Sequence, residues 1–373
     1  MTLRQHRRAL DYCTYCPKLC RCACPVAGVD AHESHIPQQK MLALGLMDHG
    51  HADWAADRAE ALWACAGCGA CQSWCRHGID VAAALRAGRA AALARGAGHP
   101  RLAELDFTFR ERLPRLRAAA RANLPHERFA REAQVAFYPG CEAIANAPGE
   151  VLRTLGVLDR LGAEYLRLFD GDELCAGYPL WASGHEDAFR TYAARVARAL
   201  GRYRKVVCGC PACVYLLRHV YHTVGVAVPC EVLELSEFLE GFVGRIPQTR
   251  QLGPVFFHDP CHLGRLLGDF EGPRRLLRPL TAAVHEFSRN RAAAACCGGG
   301  GLLPRTFPAT AEAMAEARLG EVLEAGVPVV ATACPTCKRR LGAAAARLAA
   351  RGTAAVEVVD LVDVLDRTID VEP

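Results

Sequence analysis

Twenty cysteines stand in 373 residues, and most fall into groups whose spacing suits thiolate chemistry. The tightest group reads Cys65-x2-Cys68-x2-Cys71-x3-Cys75. Three thiolates on one tight turn can each reach a different iron of a [4Fe-4S] cubane, and a fourth closes the last corner. Gly67 and Gly69 let the backbone curl close enough to offer N–H groups to the sulfides. An earlier block reads Cys13-x2-Cys16-x3-Cys20-x3-Cys24-Pro25, with Cys22 as a surplus thiol able to compete with Cys20. A pair of four-cysteine zinc sites is the alternative, but such pairs normally show two CxxC units at longer spacing. Near the other end stand Cys261, the adjacent pair Cys296–Cys297 followed by four glycines, and Cys334-Pro-Thr-Cys337. Five thiolates cannot all bind one zinc without crowding, so they point to a larger cluster or one of open geometry. Gly298 to Gly301 would supply flexible backbone beside the metal, or a nest of N–H groups for an anion. His258, Asp259 and His262 flank Cys261, and Arg265 follows. His258 is a candidate proton carrier for a coupled electron–proton step. The alternative is an outer hydrogen-bond donor to the sulfurs.

Composition narrows the class. Hydrophobic residues make up 51% and charged residues 23%, which excludes global disorder. No stretch of about 18 uncharged apolar residues occurs, so no membrane span is expected. MTLRQHRRALDYC has a basic start without an apolar core, so a secretory signal is not expected either. The expected compartment is therefore the reducing cytoplasm, where clustered cysteines mean metal or redox chemistry rather than disulfides. The net charge of +5 is a weak clue. The basic run from about Arg95 to Arg131 is interleaved with Glu104, Asp106, Glu111 and Glu127, which argues against nucleic-acid binding.

These residues need elements to hold them. His32 to Trp63 reads as helical, with Met41, Leu42, Leu44 and Leu46 followed by Ala55, Ala59 and Leu62. Val81 to about Leu124, rich in Ala, Leu and Arg, predicts one or two amphipathic helices passing into a linker. From Val135 onward the chain is an internal duplication offset by about 120 residues. VAFYPGC matches PVFFHDPC, ELCAGYP matches AACCGGG, KVVCGCPAC matches PVVATACPTC, and VLELSEFL matches VVDLVDVL. In each copy β-rich runs alternate with helix-length segments such as Val151–Leu161, Glu186–Leu200 and Ala309–Ala325. That alternation predicts α/β lobes with parallel sheets, and the cysteines follow the strands, where open α/β sheets bind ligands.

Paired, the two N-terminal blocks resemble a two-cluster ferredoxin of the α-helical type. That resemblance implies crossed ligation by two cubanes: Cys13, Cys16, Cys20 and Cys75 for one, Cys65, Cys68, Cys71 and Cys24 for the other. Two departures stand out: one extra residue between Cys16 and Cys20, and Arg76 in place of the usual proline after Cys75. Neither removes a ligand. The whole chain resembles the cysteine-rich "CCG" family. That family includes the catalytic subunit of heterodisulfide reductase and the iron–sulfur subunits of glycolate oxidase and anaerobic glycerol-3-phosphate dehydrogenase.

The family implies a non-cubane [4Fe-4S] cluster at a complete site, here Cys261, Cys296, Cys297, Cys334 and Cys337. In the first repeat Cys141, Cys175, Cys210 and Cys213 are present, but Ala176 replaces the second cysteine of the pair. That site could hold zinc, a modified cluster or nothing. Cys208 could substitute, and Cys230 reads as a small buried residue. The expected fold is α/β behind a small helical domain. Its parts are a ferredoxin-type domain at 1–98, a helical linker at 99–133, a degenerate first lobe at 134–245 and a complete second lobe at 252–373.

The expected function is that of an iron–sulfur oxidoreductase subunit carrying electrons between a flavoprotein dehydrogenase of a small organic acid and a quinone-type acceptor. It would be cytoplasmic, or peripheral at the inner membrane face through a partner. No GxGxxG or P-loop sits in a strand-to-helix setting, so the flavin is expected on another polypeptide. The Arg-rich helices from Arg86 to Arg131 are the expected docking area. The alternatives are a disulfide reductase acting at the second CCG site and, from a different class, a metal or redox sensor.

Overall fold

The computed structural model describes residues 2–130, 132–163, 166–246 and 251–369. Two four-stranded parallel sheets carry the duplication. In the first lobe the strands are Val135–Tyr138 (β1), Arg167–Leu168 (β2), Lys205–Cys208 (β3) and Glu231–Glu234 (β4). In the second they are Val255–His258 (β5), Val284–Glu286 (β6), Val329–Thr332 (β7) and Glu357–Asp360 (β8). The orders are β2-β1-β3-β4 and β6-β5-β7-β8, the same arrangement twice. Registers agree as well: Val206 pairs with Ala136 and Val232, and Val330 with Phe256 and Val358. The two inner strands of each sheet are buried on both faces, which is why they read as continuous apolar runs such as VAFY and VFFH.

The helices between strands fall close to the predicted segments, at Pro148–Arg160, Glu186–Leu200 and Pro308–Ala325. The lobes meet through matching parts. Pro148–Arg160 of the first packs on Leu361–Thr368 of the second, while Leu235–Glu240 packs on Gly272–Leu277. Each contact is the other with the lobes exchanged, as an internal twofold relation requires. Ion pairs follow the same exchange: Arg153 meets Asp363 at 2.6 Å, and Arg275 meets Glu240 at 2.6 Å.

The N-terminal domain is built on the helices Arg7–Thr14, Pro37–Asp48 and Val81–Leu93. Leu10, Met41, Leu44, Trp63, Ala84 and Leu85 form its core. Asp80 caps the third helix by accepting from the Ala83 N–H at 2.9 Å. The helix Leu105–Asn123 then turns Phe109, Leu113, Leu116 and Ala120 into the core of the first lobe.

Candidate metal centres

The ferredoxin-like cysteines gather into two groups drawn from both blocks. Around Cys13 lie Cys16, Cys20 and Cys75; around Cys71 lie Cys24, Cys65 and Cys68. The extra residue before Cys20 is taken up at Lys18, whose left-handed backbone (φ 67°) turns the chain into the short helix Cys20–Ala23. Cys22 is exposed and turned away from both groups. Burial and neighbouring thiols push Cys13 up to about 12 and Cys20 to about 11, and raise Cys71 as well. Thiols raised in this way, such as Cys13 and Cys71, stay protonated until a cation joins them, and thiolates are the form that binds metal. N–H groups already aim at sulfur: Gly67 reaches Cys65 Sγ at 3.3 Å, and the Gln38 and Ala70 amides favour the thiolates of Cys20 and Cys68.

In the second lobe, Cys261 follows β5, Cys334 and Cys337 follow β7, and Cys296–Cys297 lie on the loop between Ala294 and the glycine run. All five converge, with Cys297 Sγ 3.3 Å from Cys337 Sγ and Cys296 in contact with both Cys261 and Cys297. The Cys296 and Cys337 thiols, aided by His258, hold Cys297 well below the ordinary thiol value. His258 is fully buried; its Nδ1 accepts from Arg318 Nε at 3.2 Å, so Nε2 bears the proton. A ring nitrogen of His258 lies within 4.8 Å of Cys297 Sγ and Cys337 Sγ. His262 Nδ1 stands 3.4 Å from Cys261 Sγ, and burial lowers this ring to about 4, so it is neutral.

Five side chains around these thiols keep buried nitrogens with no hydrogen-bond partner: His258 Nε2, His262 Nε2, Arg265 Nη2, Arg318 Nη2, and Arg340 Nε and Nη2. Unpaired buried polar nitrogens are costly, and the N–H groups of His258 and the three arginines among them are suited to an anionic sulfur-rich group. The donor set therefore fits a [4Fe-4S] cluster.

The first lobe's site is of different character. Cys141 pairs with Cys175 and Cys210 with Cys213, and all four lie within mutual electrostatic reach. In each pair the sulfur–sulfur hydrogen bond lowers one thiol, Cys175 or Cys210, and raises its partner. Around them stand tyrosines whose hydroxyls are already spent on carbonyls. Tyr138 donates to Glu173 O (2.7 Å), Tyr192 to Cys175 O (2.9 Å) and Tyr221 to Ala176 O (3.0 Å). Four thiolates without a surrounding ring of unpaired cationic donors suit one zinc. Cys208 is buried at the end of β3 beside Cys210 but outside the two pairs, and Cys230, near Cys208, is half-buried rather than fully buried, with burial raising its thiol to about 11.

Sequence reading missed the closeness of the ferredoxin-like domain to the second lobe. Cys68 is buried in one cluster with Cys261, Cys296 and Cys297, so the N-terminal group packs directly beside the C-terminal one. Arg265 straddles the junction, donating to Cys68 O (2.6 Å) and Ala294 O (2.7 Å). The glycine run serves this junction. A Cβ on Gly300 would overlap the Ala66 carbonyl, and one on Gly301 the Cys65 carbonyl. Tyr178 of the first lobe closes the corner, accepting from Gly301 N at 3.0 Å and stacking edge-on against His262.

Arg89, expected on a docking surface, is buried. It donates to Leu62 O (2.9 Å), Ala182 O (2.6 Å), Gly301 O (3.2 Å) and Cys65 O (3.2 Å), joining the N-terminal domain to both lobes. The available signal was its place on the Ala87–Gly88 face of an alanine-rich helix, where small residues mark close packing.

Comparison with known proteins agrees with this layout. The family model of the cysteine-rich domain matches residues 135–218 and 255–342, and that of the 4Fe-4S dicluster domain matches residues 9–79. One subunit of the dihydromethanophenazine:CoB–CoM heterodisulfide reductase of Methanosarcina barkeri is 28% identical over 74% of this chain and 71% of its own length. One subunit of the fumarate reductase (CoM/CoB) of Methanothermobacter marburgensis is 28% identical over 82% of this chain and 61% of its own. The EtfAB:quinone oxidoreductase of Syntrophomonas wolfei is 26% identical over 62% of this chain and 35% of its own. The last two relatives are thus spanned over less than two thirds of their length.

Proposed function

We propose that this chain, which has two copies of the cysteine-rich domain behind a 4Fe-4S dicluster domain, carries electrons between a flavoprotein dehydrogenase of a small organic acid and a quinone-type acceptor. The carrying observation is the packing of Cys68 in one buried cluster with Cys261, Cys296 and Cys297, which sets the group of Cys24, Cys65, Cys68 and Cys71 beside the five-thiol site. Cys13, Cys16, Cys20 and Cys75 would hold one cubane, and Cys24, Cys65, Cys68 and Cys71 the other. Cys261, Cys296, Cys297, Cys334 and Cys337 would hold a non-cubane [4Fe-4S] cluster, and Cys141, Cys175, Cys210 and Cys213 zinc. Bound clusters supply one-electron storage. The residues supply the rest: burial that excludes water, amides aimed at sulfur, and His258 and His262 as neutral rings beside the terminal thiols. Tyr15, at 90% exposure, and Leu19, at 57%, adjoin Cys16 and Cys20 in sequence and would give a redox partner an exposed apolar surface there. No described helix is long and apolar enough to cross a membrane, so a quinone would be met at a membrane face through a partner.

A second reading is reduction of a disulfide at the second site. It is favoured by the five convergent thiols with their unpaired donors, and by the name of the Methanosarcina relative. One experiment separates the two. Anaerobically reconstituted protein is reduced with an artificial one-electron donor and offered a soluble quinone or a small disulfide, with no flavoprotein present. Quinone reduction without disulfide turnover is the expected result. Sustained disulfide turnover would transfer the assignment to the second reading.

A further inference from the structure

Asp30, His32 and His35 lie outside every thiol group, and none of the chemistry above uses them. The spacing Asp-x-His-x-x-His wraps them around one point just after the helix Pro25–Val29. His32 Nδ1 stands 2.6 Å from Asp30 Oδ1 and His35 Nδ1 2.9 Å from Asp30 Oδ2, and a ligand atom from each of the three lies within 4.8 Å of the others. We propose that Asp30, His32 and His35 form a separate zinc site, with two imidazole nitrogens and one carboxylate as ligands.

Several observations carry this beyond an ordinary turn. An aspartate closing a turn needs one backbone donor, and Asp30 already has it in the His32 N–H at 3.0 Å. Two imidazoles directed at the same carboxylate exceed that need. Two nitrogens and one oxygen form a set that zinc accepts, with a fourth position left for water or a further ligand. The absence of thiols from the set separates it from the iron–sulfur centres.

The carboxylate is held from behind, as metal ligands commonly are: the Thr310 hydroxyl donates to Asp30 Oδ2 at 2.9 Å. The His35 ring is fixed edge-on to Phe307, with centroids 5.0 Å apart. The Asp30 side chain is 6% exposed and that of His35 11%, while that of His32, at 74%, faces a groove also lined by Asp57 and Glu60. A cation can therefore arrive from solvent and be closed over by His32. Thr310 and Phe307 belong to the second lobe, so zinc here would tie the ferredoxin-like domain to the lobe its cysteines touch.

The test uses iron-loaded, full-length protein dialysed anaerobically against buffered zinc. Zinc and iron are counted per chain for wild type, His32→Gln and Asp30→Asn. His32 is exposed, so its substitution leaves folding intact. Wild type should retain one zinc more than either variant at equal iron, and His32→Gln should weaken that zinc at least tenfold. X-ray absorption of the extra zinc should show nitrogen and oxygen neighbours without sulfur. Equal zinc in all three proteins, or a sulfur shell around the extra zinc, would overturn the assignment.

Discussion

Cys71 is enclosed by Cys24, Cys65 and Cys68 and, unlike Cys68, is packed in the core of the N-terminal domain rather than in the second lobe's cluster. Cys71→Ser should therefore remove about one cubane's iron, roughly four atoms per chain, and leave both lobes folded. Iron analysis with circular dichroism checks this, and unchanged iron would refute the quartet. The two CCG sites should respond unequally. Cys297→Ala removes the thiol most inclined to ionise and should abolish electron delivery. Cys175→Ala removes one of four thiols from a site without unpaired donors and should mainly lower the melting temperature. Equal losses of turnover would mean that both sites work in the redox path. At this scale spacing marks which cysteines group along the chain, while the crossed pairing of the two N-terminal blocks came from the family resemblance and not from spacing. Arg89, Arg318, Arg340 and Tyr178 were not legible, because each arrives from a distant segment and acts through burial.

Elements were legible where periodicity is local. The duplicated segments announced two copies of one sheet, and the inner strands announced themselves as apolar runs. What escaped was how one element leans on another. The four glycines look like a flexible or anion-binding loop, yet their bare backbone lets Gly300 and Gly301 lie against Ala66 and Cys65. Gly301 also has φ 62°, which a side chain resists. Gly301→Ala should cost about 2 kcal/mol or more, read as an earlier thermal transition of the N-terminal domain.

A second element-scale expectation concerns Glu234, at the end of β4, where burial pushes the carboxyl up to about 7 and Ser236 N donates to it at 2.6 Å. The folded chain holds this proton more tightly than the unfolded one, whose ordinary value is near 4.5. The contribution is therefore complete below about pH 4.5 and lost as pH rises through 7. Glu234→Gln should match wild type near pH 4.5 and exceed its stability at pH 8 by on the order of 2–3 kcal/mol. Melting temperatures across that range provide the check, and parallel curves would refute it.

For the whole molecule, the single-electron character of the expected cofactors makes a partner part of the proposed activity, and similar proteins are subunits of oxidoreductases. Arg86 packs over Trp181 and Arg89 is interior, so docking does not fall to those arginines. Tyr12, Tyr15, Leu19 and Trp74 are exposed apolar side chains near the outer thiol group, with Lys18, Arg21 and Arg76 beside them in sequence. Reduction by an acidic flavoprotein should slow as ionic strength rises from about 0.01 to 0.5 M. Tyr15→Asp should slow it several-fold without changing iron content, and stopped-flow absorbance reads both effects. A rate indifferent to salt and to Tyr15 would move the docking surface elsewhere.

The seam between the N-terminal domain and the second lobe also bears on how the molecule is made. Cys68 is 8% exposed and Cys296 2%, and the bare backbones of Cys65–Ala66 and Gly300–Gly301 leave no gap between them. Iron and sulfide are therefore expected to enter before the N-terminal helices dock, so iron uptake by the folded apo-chain should be slower than uptake during refolding. Arg89 then draws four carbonyls from three regions together as the final clasp.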